Sequence, residues 1–134
     1  PLGTAPQFNS EKWMDWQVGT LWPALRPTFI GLTRVPEAER DHAAIQKAYQ
    51  DTNQLFALLN QTLESQAYCS GERFHIGDIV LALCVHRWIL LNETFPKQTG
   101  ERTNLNNINR WLKQLKAETH FQEFAEKELN IINK

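Results

Sequence analysis

A chain of 134 residues with 42% hydrophobic and 22% charged residues has the length and composition of one globular domain. Its 14 Lys and Arg against 15 Asp and Glu exclude a nucleic-acid binder that works through bulk positive charge and a polybasic membrane anchor. No apolar run approaches the ~20 residues of a spanning helix, so neither nucleic acid nor membrane is expected as a partner.

The opening PLGTAPQFNS is polar and is not read as a signal sequence, which fits a cytoplasmic setting. Residues 1–9 read as a disordered tail, with Pro1, Leu2 and Gly3 resembling the scar of a cleaved tag. Residues 10–134 read as the folded domain. Ser10 with Glu11 behind it predicts a first helix start. That helix carries Trp13, Trp16, Val18, Leu21, Trp22 and Leu25, and Pro23 and Pro27 predict a kink or break before Gly31. Pro36 predicts the first turn of a second helix. Its stripe is Ile45, Ala48, Tyr49, Leu55, Phe56, Leu59 and Leu63, with Thr52 filling a gap, and it ends before Gly71.

The third segment, HIGDIVLALCVHRWILLN, is apolar on every side from Ile79 to Val85. A helix of that kind is a central one, surrounded by others. Thr103 is expected to cap a fourth helix with Leu105, Ile108, Trp111, Leu112 and Leu115 on one face. A last segment carries Phe121, Phe124, Leu129 and Ile132. Strand-period alternation is absent throughout. The fold class is therefore all-α: a bundle of four to six helices around the third segment.

Chemistry-bearing residues are sparse. Cys69 and Cys84 read as free thiols, although one disulfide is arithmetically possible. His42, His75, His86 and His120 are scattered without metal-ligand spacing, so no metal is expected. Trp13, Trp16, Gln17 and Thr20 fall at helical spacing and form one face, to which Trp88 is added. Aromatic residues at that spacing are also ordinary core. Arg87 is able to recognise a carboxylate or to pair with a nearby acid.

The stretch GERFHIGDI, residues 71–79, has the form of a capped helix start. Asp78 follows His75 by three, as the acid of a capping box. Phe74 and Ile79 stand where a hydrophobic staple would bridge the start. With WMDWQVGTLWPAL at 13–25 and NLNNINRWLKQLKAETHFQEF at 104–124, this resembles the carboxy-terminal domain of bacterial-type cytosolic glutathione S-transferases. Gly71, Phe74, Ile76, Gly77 and Asp78 match the family's pattern at its central helix. His75 stands where the family usually has Ser or Thr.

The resemblance implies a helical, electrophile-binding domain and a separate amino-terminal thioredoxin-like domain. That second domain would bind glutathione and carry the activating Ser, Tyr or Cys. Nothing in residues 1–134 resembles it, so no catalytic residue is assigned. The resemblance further implies Trp13, Trp16, Gln17, Thr20 and Trp88 as electrophile contacts. Arg87 and Asp15 become candidates for glutathione, the latter for that of a partner subunit. Glutathione is then the cosubstrate of the full-length protein, with none expected on this chain alone, and the full-length protein is expected to be a homodimer. The alternatives are a non-catalytic interaction module of the same fold and an unrelated bundle.

Overall fold

The computed structural model describes residues 5–118. Phe121, Phe124, Leu129, Ile132 and His120 lie outside the described residues. Helix α1 spans Ala5–Trp16, α2 Trp22–Thr33, α3 His42–Thr62, α4 Ile76–Thr94, α5 Pro96–Thr99 and α6 Asn106–Glu118. No strand occurs among the described residues, and none of the helices described is long and apolar enough to cross a membrane.

The first helix begins at Ala5, so residues 5–9 are helical where a tail was expected. Ser10 is then no N-cap of α1. It sits mid-helix, 3% exposed, and is used elsewhere. Between α1 and α2 the chain widens into a π-turn over Gln17–Leu21, with Trp22 N–H donating to the Gln17 carbonyl. Pro23 accounts for the widening. It has no N–H for the Gly19 carbonyl, and its ring would press on that oxygen in a regular turn. The predicted kink is thus a single widened turn, and α2 carries Pro27 internally and ends at Thr33.

The second long helix does not start at Pro36. A 3-10 turn at Glu37–Glu39 and an extended Arg40 intervene. Asp41 is the cap, its Oδ1 accepting from Ala44 N–H at 3.1 Å. Helix α3 buries Ile45, Tyr49, Thr52, Asn53, Phe56 and Leu59, close to the predicted stripe. The fourth predicted helix starts at Asn106, and Thr103 is exposed in the preceding loop. Its first free N–H groups go to Asn60 on α3: Asn60 Oδ1 accepts from Asn107 N–H at 3.0 Å and from Ile108 N–H at 3.1 Å. A cap lent by another helix satisfies the same donors that a local Ser or Thr would.

Helix α4 runs through the middle. Leu81, Ala82, Cys84, Val85, Trp88 and Leu91 are buried. Trp88 meets Phe56 at 4.6 Å between ring centres and stacks on Tyr49 at 6.2 Å. Tyr49 O–H donates to the Trp88 carbonyl at 2.6 Å, and Trp88 Nε1–H to Asn53 Oδ1 at 2.9 Å. Every polar end of this aromatic cluster is matched, as burial requires.

Candidate functional site

The start of α4 is the most heavily bonded place in the fold. Asp78 is fully buried. Its Oδ1 accepts from Cys69 N–H at 2.6 Å and Trp111 Nε1–H at 2.9 Å; its Oδ2 accepts from the Ser70 hydroxyl at 2.7 Å and His75 N–H at 3.1 Å. Four donors replace the water that a buried carboxylate loses. The predicted capping box is present, and its acid also ties the 68–71 turn and α6 to the central helix.

The next free donor, Gly77 N–H, goes to Ser10 Oγ of α1 at 2.8 Å. A Cβ at residue 77 would lie 2.5 Å from the Ser10 carbonyl oxygen, so this approach requires glycine. Gly71, at φ +126°, turns the chain beneath the hub. Phe74 and Ile79 are both half-buried, and Phe74 meets Tyr68 edge-on at 6.0 Å.

Burial, with Asp78 beside it, pushes the Cys69 thiol up and keeps it protonated. Both cysteines are buried, and neither is in a disulfide. No group of three His, Cys, Asp or Glu side chains suited to a metal occurs among the described residues.

Helix α4 departs from the expectation that it is covered on all sides. Ile76 is 59% exposed, and Val80, Leu83, Arg87 and Leu90 are half-buried. Their spacing of four, three, four and three makes one stripe along the helix. Arg87 lies over Trp22 at 5.0 Å and over Phe29 at 5.8 Å, so its guanidinium is held against aromatic faces of α2.

The face predicted from Trp13, Trp16, Gln17 and Thr20 is split. Trp13 is 7% exposed and Trp16 half-buried; their rings meet edge-on at 5.2 Å, and both line a groove against α3. Gln17 turns to α4, where its Nε2–H donates to Cys84 Sγ at 3.2 Å. Thr20 and Asp15 are exposed. Trp88 joins none of them: at 1% exposure, with its indole bonded to Asn53, it is core. The π-turn explains the division, because it breaks the 3.6-residue period on which a single face rests.

Sequence reasoning missed Leu58, Gln61 and Thr62 of α3, which complete the groove. One signal was available. Leu58 stands off the apolar stripe of its own helix, and it is 54% exposed.

The family model described as "Glutathione S-transferase, C-terminal domain" matches residues 14–118. Glutathione S-transferase GstB of Escherichia coli strain K12 is 37% identical over 111 residues, which are 83% of this chain and 50% of that protein. Its counterpart in Escherichia coli O6:H1 gives the same figures. The theta class glutathione S-transferase of Xanthomonas axonopodis pv. citri, solved with glutathione bound, superposes with a TM-score of 0.77 at 33% identity, covering 92% of this chain and 56% of that one. Its apo form gives 0.77 at 34% identity, covering 92% and 61%. The chain spans about half the length of the curated relatives it matches. With the hub at the start of α4, the order of the helices and a match over most of its length, this chain belongs to the glutathione S-transferase C-terminal domain family.

Proposed function

We propose that this chain is the electrophile-binding half of a cytoplasmic glutathione transferase. In this reading a thioredoxin-like half holds glutathione and activates its thiol. The observation that carries the reading is the stripe Ile76, Val80, Leu83, Arg87 and Leu90, an apolar helix face with one cation, exposed at Ile76 and half-buried along the rest. Such a face serves two needs at once. It docks a second body by burying apolar area, and at the rim of that contact it offers a dry wall to an apolar electrophile.

Within this reading Gln17 borders the wall, its carboxamide oriented by Cys84. Arg87, held over Trp22 and Phe29, offers its guanidinium to a carboxylate of glutathione. Asp15, exposed on α1, faces outward, where glutathione bound by a second subunit of a homodimer is its ligand. The work left to this half is positioning. Lowering the thiol pKa belongs to the other half, while holding the electrophile close supplies proximity.

The test is kinetic. The reading frame extended upstream is expected to conjugate glutathione to an aryl halide, whereas residues 1–134 alone do not. Gln17→Ala and Arg87→Ala in the long form are expected to raise KM or lower kcat at unchanged folding. A long form that binds no glutathione and instead copurifies stoichiometrically with another protein overturns the proposal in favour of an interaction module.

A further inference from the structure

We infer that the cleft between the first turns of α1 and the loop entering α4 is a binding site for a small zwitterionic α-amino acid. It measures about 350 Å³, within the ~300–1,000 Å³ of small-molecule sites. Its wall divides into groups that the fold uses and groups that it does not. The Ser70 hydroxyl and His75 N–H are committed to Asp78. The side chains of Asn9, Glu72 and Arg73, which line the same cleft, make no hydrogen bond or ion pair with any described residue. Asn9 is half-buried, so its carboxamide has given up part of its water without gaining a partner. Glu72 and Arg73 carry opposite charges and line one cleft, yet they stand beyond ion-pair distance of each other.

Charge sets the class of ligand. A simple anion meets Arg73 but is repelled by Glu72, and a simple cation meets Glu72 but is repelled by Arg73. A zwitterion satisfies both, with its carboxylate on the guanidinium fork and its ammonium on the Glu72 carboxylate. The Asn9 carboxamide holds two donors and an acceptor, so it serves either end. Ala5 and Gly71 are the small residues of the wall and leave space for a short side chain. No Trp, Tyr or Phe lines the cleft, which removes the stacking platform that an arene or a sugar ring would use.

The test titrates the 134-residue chain with L-alanine, with N-acetyl-L-alanine (no ammonium), with L-alaninamide (no carboxylate) and with glucose. The Gly71 backbone amide and the Asn9 side-chain amide are followed by nuclear magnetic resonance. Alanine is expected to shift both signals to saturation and to bind about tenfold tighter than either blocked analogue, the loss of one charge-assisted contact. Glu72→Gln and Arg73→Gln, at exposed positions, leave the unfolding curve unchanged. Glu72→Gln brings alanine and N-acetylalanine within about twofold of each other, and Arg73→Gln does the same for alanine and alaninamide.

N-acetylalanine binding as tightly as alanine overturns the proposal in favour of a plain carboxylate site at Arg73. Alaninamide binding as tightly overturns it in favour of a cation site at Glu72. Preference for glucose, or no saturable shift with alanine, overturns it as well. No residue of the α4 stripe lines the cleft and no glutathione enters the assay, so its failure is separate from failure of the transferase reading.

Discussion

Helix α4 carries a buried, fully bonded hub at its start and an outer stripe along one side, and the two regions spend their residues differently. At its start, Asp78, Ser10, Gly77 and Trp111 come from three helices, and each donor there has its acceptor. Along its outer stripe, Ile76, Val80, Leu83 and Leu90 keep apolar surface at least partly open. The first region has nothing left to offer a ligand. The second has little to offer the stability of this chain. Function in such a domain is therefore expected where the fold is least satisfied, and removing residues from the two regions should separate stability from activity.

Asp78 gives the largest expected effect. In Asp78→Asn one of the two oxygens becomes an NH2 facing donors that it cannot serve. The loss is about 2–4 kcal/mol, at the scale of breaking a buried charged network, read by urea unfolding. A value below about 1 kcal/mol would make the hub ornamental, on the ordinary scale of one neutral hydrogen bond. Next come the two caps lent by other helices. Ser10→Ala and Asn60→Ala are each expected to cost about 1–2 kcal/mol, as cap losses do, although both lie far in sequence from the helix they cap.

Tyr68 sharpens the comparison through pH. Burial and its hydrogen bond to Glu118 push the phenol up to about 12. The unfolded chain ionises first, near 10. The contribution is therefore fully present below pH ~10 and is lost as pH rises through about 12. Tyr68→Phe should flatten that part of the stability curve, and phenolate absorbance should report the late titration. The smallest effect is expected on the stripe. Ile76→Ser should change stability by less than about 0.5 kcal/mol, as exposed substitutions do, while impairing whatever the stripe contacts.

Much of this division was legible in the sequence. The all-helical class, the buried stripe of α3 and the Asp78 start of α4 follow from periodicity and a three-residue spacing. What escaped has a common cause. Ser10 and Asn60 cap helices to which they do not belong, so no local pattern marks them, while Ser10 and Thr103 had been expected to cap their own. Pro36 was expected to open α3, yet Asp41 does so after a turn. The face drawn through Trp13, Trp16, Gln17 and Thr20 assumed a regular helix, and the π-turn that Pro23 brings divides it. Trp88 shows the remaining ambiguity: an indole on an all-apolar helix reads alike as wall or core until Asn53 is seen beside it.

The central claim is that the α4 stripe is the face left open for a second body. Hydroxyl-radical footprinting of residues 1–134 beside the same chain extended upstream tests it most directly. The account predicts that Ile76 and Leu83 are labelled in the short form and protected in the long one, with Cys69 unlabelled in both. Equal labelling of Ile76 and Leu83 in the two forms would contradict it.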